Sequence, residues 1–444
     1  MIKYIITVVC IGILSIPLNA QDTLDINFEE AVAQAIKGNA DHNINVNNQR
    51  LNKAIRQQAF YANFPNVSIN LNAQRVTGQQ TQQVDDGFVV DNFTNYHNSA
   101  GFNVNVPVFN MFRRINTYKA EKLRESAGSF DLERSEQHVV FQVSNQYLQV
   151  LLSQELLRIS EENLDNQKEL LRQIEGYVDA GIRTLSDAYN QQSEVARLEA
   201  VSYDAYIQLM NDVLLLAEIL QLEEGWIPTV EPIESELMAE EWGEMELSEL
   251  IVLAYRERPE LERDELLAEA YSRDIKASKA GYFPRLSAFY NYSSFSTSIV
   301  DRSFNQQFFE FNPNGMIGLS LNIPVFGNFE NKTNVTRSKI SFQNQLIAQE
   351  ATQRKIYQEV RLAHANYLAS KKKMETTKVQ LRAAEQAQKA ISERFRLGIS
   401  NFVDLSQANS QLVQAQSDLA QALYTRYFQN IMLMYAVGNL NLDF

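Results

Sequence analysis

Apolar and polar residues alternate one by one over four short runs of this chain and recur every three or four residues over much longer ones. Val67, Ile69, Leu71 and Ala73 alternate with Ser68, Asn70 and Asn72. Phe102, Val104, Val106 and Val108 alternate with Asn103 and Asn105. Leu286, Ala288, Tyr290 and Tyr292 alternate with Ser287, Asn291 and Ser293, with Phe289 breaking the polar set. Ile317, Leu319, Leu321, Ile323 and Val325 alternate with Gly318, Ser320 and Asn322. A period of two predicts strands whose apolar side chains share one face. Runs of about ten residues match a tilted crossing of a bilayer, and Asn and Ser suit a wet lumen. An ordinary half-buried sheet with its apolar face inward has the same periodicity. Residues 77–98 and 297–314, polar and aromatic, are expected as exposed loops. Four strands cannot close a barrel, but three chains would supply twelve, an even number within the range of such barrels.

Each strand pair is framed by helical pattern. Helices are expected over about residues 28–61 and 247–282, with Asn27 and Glu30 as a capping pair and Pro65 and Pro284 marking the change to extended chain. After Pro107 and Pro324 roughly 70 residues read as helix, a length of roughly 105 Å, far beyond an ordinary globular helix. The returning helix carries a heptad through Leu405, Ala408, Leu412, Ala415, Leu419 and Ala422. Ala188, Gln191, Val195, Leu198, Ser202 and Ala205 are its degraded counterpart. The segments Gly181-Ile182-Arg183-Thr184-Leu185-Ser186-Asp187 and Gly398-Ile399-Ser400-Asn401-Phe402-Val403-Asp404 read as the tips of two helical hairpins. Glycine permits a left-handed helix end, and Ser400 or Asn401 can cap the next helix.

These elements occur twice. Phe64-Pro65 matches Phe283-Pro284 at an offset of 219 residues. Val106-Pro107-Val108-Phe109 matches Ile323-Pro324-Val325-Phe326 at 217, as do Gly181-Ile182 with Gly398-Ile399 and Asp187 with Asp404. Pro107 to Gly181 and Pro324 to Gly398 both span 74 residues. Spacing conserved across several matches indicates duplication. The expected organisation is a signal peptide over 1–20, a first repeat over 21–221, a connector over 222–248 and a second repeat over 249–444. The connector is Glu-rich, holds Pro228 and Pro232, and is expected to have little regular structure.

Export follows from the first twenty residues. Lys3 precedes an apolar run over 4–14, and residues 17–20 lead into Gln21-Asp22. That run is too short to span a bilayer as a helix, and none of sufficient length comes after it. Cys10, the only cysteine, lies inside it, so the mature chain holds neither a disulfide nor a thiolate metal site. The formal net charge of −14 argues against a nucleic-acid partner. His42, His97, His138 and His364 lack metal-ligand spacing, and no phosphate loop or nucleophile elbow occurs, so neither an enzyme nor a cofactor is expected.

The signal, the duplication, the strands ending in Val-Pro-Val-Phe and Ile-Pro-Val-Phe, and the segment Phe395-Arg396-Leu397-Gly398-Ile399-Ser400-Asn401-Phe402-Val403-Asp404-Leu405 resemble the TolC-type outer-membrane efflux protein family, the outer membrane factors. The resemblance implies an α+β membrane protein: a homotrimer with a 12-stranded β-barrel in the outer membrane of a Gram-negative bacterium and a long α-helical barrel in the periplasm. It implies passive conduction to the cell exterior as part of a tripartite efflux pump or a type I secretion system. Its implied partners are outer-membrane lipid, a periplasmic adaptor and an inner-membrane transporter of RND, ABC or MFS type. The connector would join the girdle midway along the tunnel. Aspartates near the inner end of the second hairpin ring the family's closed constriction. Asp404 matches one such position, whereas Gln407, Phe395 and Ser400 stand where the name-giving member has other polar groups. Gly181, Asp187, Gly398, Asp404 and Gln407 are therefore the candidate tip residues, and Pro65, Pro107, Pro284 and Pro324 the candidate strand–helix junctions. Asp187 and Asp404 have a simpler reading too, as acids favoured by a helix N-terminus. The competing function is a periplasmic coiled-coil structural or adaptor protein without a barrel.

Overall fold

A computed structural model describes residues 23–85, 87–223, 225–232 and 242–440. The expected signal peptide and part of the connector lie outside them. The element order is β1 (Thr23–Ile26), α1 (Phe28–Gly38), α2 (Ala40–Tyr61), β2 (Asn66–Val84), β3 (Gly87–Phe109), α3 (Arg113–Asp179), α4 (Leu185–Ile219), β4 (Ile227–Val230), α5 (Leu247–Glu257), α6 (Pro259–Lys279), β5 (Arg285–Thr297), β6 (Asn314–Asn322), α7 (Glu330–Arg396) and α8 (Phe402–Val437). The chain forms two compact units, each drawn from both sequence halves. Of the described residues, one takes in those up to Asn43, those between Ser135 and Glu257 and those from Ile356 on, and the other those between Ile44 and Arg134 and between Arg258 and Lys355.

The second unit holds an antiparallel sheet in the order β2-β3-β5-β6. Its register puts Val67, Val104, Tyr290 and Ile317 in one row, and Ile69, Phe102 and Tyr292 in the next. The apolar residues predicted on one face therefore do share it. Among the described residues nothing covers that face: Ile69, Leu71, Ile317 and Leu319 are 69%, 78%, 83% and 70% exposed. Phe289, the exception on the polar face, sits opposite Gly318, where a Cβ would come within 2.7 Å of its ring. A bulge between Pro107 and Phe109 shifts the register of β3 against β5 before their last pair, Phe109 opposite Leu286.

The expected loops are only partly loops. Residues 77–84 and 87–98 extend β2 and β3 as a continuous hairpin, because the ladder is made by backbone groups and the interspersed Thr, Val, Phe and Tyr favour extended chain. Between β5 and β6 the chain makes a π-helical turn, Gln306–Phe311. The expected opening helices are each divided. Asn39 separates α1 from α2, and Pro259 at the first position of α6 stops α5, because proline cannot supply the amide that a continuing helix needs.

In the first unit, α1 starts in a capping box made by Asn27 and Glu30. Its apolar side packs in a core with Val143, Tyr147, Val213, Leu216 and Val230. The connector is more regular than expected: β4 pairs in parallel with β1, from Thr23 opposite Ile227 to Ile26 opposite Val230. Pro228 is tolerated because a two-stranded sheet has only edge strands. Tyr147 closes this layer; its hydroxyl donates to the carbonyls of Glu231 and Ile26 at 2.8 and 3.2 Å and accepts from the Glu231 amide at 3.1 Å.

Helices α3 and α7 are both 67 residues long, about 100 Å of helix each. The predicted heptad of α8 is inward-facing, with Leu405, Ala408, Ala415 and Ala422 buried. In α4 the degraded position Gln191 is buried as well, and its amide donates to the Gln167 carbonyl and side chain at 2.9 and 3.1 Å.

Candidate functional site: two hairpin tips and two strand–helix junctions

Both tips are built alike. Gly181 and Gly398 have φ of 73° and 74°, the left-handed conformation that ends a helix at least cost in glycine. The amides of Ile182 and Ile399 reach back to the carbonyls of Tyr177 and Arg394, both at 2.8 Å, and those of Gly181 and Gly398 to Val178 and Phe395 at 2.9 and 3.0 Å. This Schellman arrangement satisfies carbonyls that the helix end would leave bare.

Each following helix is capped by its own turn. Thr184 Oγ1 accepts from the Asp187 amide at 3.3 Å, while Asp187 Oδ2 accepts from the Thr184 hydroxyl and amide at 2.9 and 3.2 Å. Of the two possible caps for α8, Asn401 takes the role, accepting from the Asp404 amide at 2.8 Å. Ser400, 6% exposed, donates to Asp404 Oδ2 at 3.2 Å. Asp187 and Asp404 thus occupy matching first-turn positions, where the helix dipole favours a carboxylate. Asp404 and Gln407 are exposed, whereas Asp187 is half-buried.

The two tips meet at a residue that no sequence motif singles out. Arg183 donates from Nη2 to the Phe395 carbonyl at 2.9 Å, and its guanidinium lies 4.1 Å from the Phe395 ring centroid. Phe395 is buried with Ile174 and Leu405. The available signal was a charge in a tight turn whose copy has Ser400 at the same place. Around this small core, Ile182, Leu185, Ile399 and Val403 stay open, each more than 60% exposed.

The junction prolines fall in two kinds of place. Pro65 and Pro284 immediately precede β2 and β5, whereas Pro107 lies beside the bulge of β3 and Pro324 comes after β6. Beyond the latter pair, both copies turn into helix through two consecutive left-handed residues that are not glycine. These are Met111 and Phe112, at φ 50° and 58°, and Asn328 and Phe329, at 47° and 61°. The Arg113 amide closes the first turn on the Asn110 carbonyl at 3.1 Å, and Glu330 closes the second on Gly327 at 2.8 Å.

Residues 41–220 and 250–439 match the family model described as outer membrane efflux protein. The chain is 27% identical to the pyoverdine export outer membrane protein OpmQ of Pseudomonas aeruginosa over 81% of this chain and 72% of that one. It is 22% identical to the outer membrane efflux protein BepC of Brucella suis, over 96% and 88%. Among solved structures it resembles the transmembrane channel CusC, with a TM-score of 0.78 at 17% identity over 94% and 92%. The outer-membrane channel OprN gives 0.74 at 19% identity over 93% and 90%. The match extends over both hairpin tips and both junctions, and the chain belongs to the outer membrane efflux protein family.

Proposed function

We propose that three copies of this chain assemble into one duct, each contributing its four strands to a common barrel and its long helices to a tunnel through the periplasm. As a family member, the chain is an outer-membrane channel component of an efflux or secretion system. The observation that carries the assembly is the bare apolar face of β2, β3, β5 and β6. Four strands with two open edges cannot satisfy their backbone in a bilayer, and three copies remove every edge. Apolar residues would then meet lipid, and Asn103, Asn105, Ser287 and Asn291 would line the lumen. The periplasmic coiled-coil alternative needs these apolar faces turned inward, and their exposure counts against it.

Conduction is passive in this reading, with energy supplied by an inner-membrane transporter through a periplasmic adaptor. The open apolar residues of the tips are the natural contact for such a partner. Opening would splay the hairpins between two packings. Residues 21–221 and 249–444 would be tandem copies, joined by the 222–248 connector. Planar-bilayer conductance of detergent-extracted protein, with the oligomeric mass measured on the same sample, tests the proposal. A trimer with discrete channels is expected. A water-soluble protein that never conducts would overturn it.

A further inference from the structure

Among the described residues, seven of the eight α-helices carry an acid in the first turn, as the positive end of the helix dipole favours. The exception is α3, which opens on Arg113-Arg114 and has no first-turn acid. The copy of Arg113 in the second repeat, at the 217-residue offset, is Glu330, so the duplication has reversed this charge. Arg285, at the start of β5, adds a third cation to the same place, where the first repeat has Asn66. Arg113, Arg114 and Arg285 line a cavity of about 410 Å³ together with Asn105, Pro107 and Ser287. A second cavity, of about 490 Å³, shares Arg113 and Arg285 and adds Arg337, with Glu330 as its one acidic residue.

Among the described residues, none of these four arginines has a carboxylate partner, and Nη1 of Arg114 is buried without any hydrogen bond. Half of this unit's fourteen arginines, Arg56, Arg124, Arg134, Arg258, Arg263, Arg273 and Arg354, do contact a carboxylate. Burial lowers the pKa of Arg114, a direction that a bound negative charge would reverse. Guanidinium groups converging on a helix N-terminus repel one another and the dipole, and an oxyanion relieves both at once through paired N–H donors. Asn105, Arg285 and Ser287 of the first cavity's lining belong to the polar strand face, and Leu286 to the apolar one.

We infer that Arg113, Arg114, Arg285 and Arg337 form an anion-binding station on the lumenal side of the strand–helix junction, which takes solutes bearing phosphate, carboxylate or sulfonate groups on their way out. The inference rests on the duct reading, because only there does the polar face line a lumen. Each protomer supplies one station, so a trimer presents three around the passage, and the focused potential raises the local concentration of anionic solutes.

Calorimetric titration of the detergent-extracted oligomer with pyrophosphate is the test. Pyrophosphate should bind, more weakly as NaCl is raised. Arg114→Gln and Arg285→Gln should each weaken binding about tenfold or more, and Arg285→Lys, which keeps the charge, less. Arg382→Gln, an exposed arginine on α7 outside this unit, should change nothing. Equal binding in all variants, or equal loss in Arg382→Gln, would overturn the station. So would an anionic phospholipid adduct, seen by native mass spectrometry, that Arg285→Gln removes and pyrophosphate fails to displace, because the cavity would then hold a lipid headgroup. Conductance on the same samples separates the two readings: channels without pyrophosphate binding refute only the station, whereas binding without channels refutes the duct and with it the lumenal placement.

Discussion

Tyr147 has no exposed surface and three hydrogen bonds to backbone atoms, so its hydroxyl holds the segment before α1 and the segment after β4 to one helix. Tyr147→Phe leaves buried backbone groups unpaired and should cost about 1–3 kcal/mol in thermal unfolding. Burial, with the nearby Glu231 and Glu30 charges, pushes its pKa from 10.0 up to about 12. The folded state therefore keeps a proton that the unfolded chain releases. That stability is fully present below pH 10, is lost as pH rises through 12, and should be missing from the alkaline melting profile of Tyr147→Phe. Glu260 behaves in the opposite way. Burial alone would raise its pKa, but Arg134 and Arg258, at 2.9 and 2.8 Å, outweigh burial and lower it below 4.5. Its contribution is present above 4.5 and is lost as pH falls through the depressed value. Arg258 is only 3% exposed, so Glu260→Gln should destabilise by roughly 3 kcal/mol near neutrality, and by less in acid. Neither residue stood out in the sequence. A tyrosine and a glutamate inside helical pattern look like many others, and only long-range contacts single them out.

At the scale of elements, the tips were legible because glycine, turn and cap recur at one offset. Gly181 and Gly398 have open space where a Cβ would go, so replacing them with alanine costs only the left-handed backbone, about 1–2 kcal/mol each. Hydrogen exchange should rise in the last turns of α3 and α7 and leave the strands unchanged. Gly243→Ala is different in kind, because its Cβ would run into the Tyr367 ring, and displacement of that buried ring should lower the melting temperature. The caps also allow folding and gating roles to be separated. Asn401→Ala should cost about 1 kcal/mol in local stability. Asp404→Ala keeps the Asn401 side chain as cap acceptor, so it should fold and alter chiefly the block of conductance by multivalent cations. Unchanged conductance and block would show that Asp404 does not line a constriction. The left-handed pairs Met111-Phe112 and Asn328-Phe329 were not legible. No sequence preference announces φ near 50° in Met or Phe, although the conformation matches in both copies.

For the whole molecule, the prediction concerns how the two hairpins of a protomer are held. Arg183 and Phe395 join them through one hydrogen bond and one cation–π contact, so Arg183→Ala should raise single-channel conductance or open probability with little effect on trimer mass. Closed, low-conductance channels in Arg183→Ala would show that this contact does not restrain the tips. The chain by itself determined the period-two strands, the helices of about 70 residues, the duplication and the turn chemistry at the tips, because each is a local pattern repeated with fixed spacing. Tertiary structure alone decided which arginines lack carboxylates, that the connector contributes a strand that pairs with β1, that Arg183 seats on Phe395, and that the apolar sheet face has no cover among the described residues. These depend on residues tens to hundreds of positions apart, and the energy of a buried charge or a bare apolar face is set by what surrounds it in space, which no spacing along the chain records.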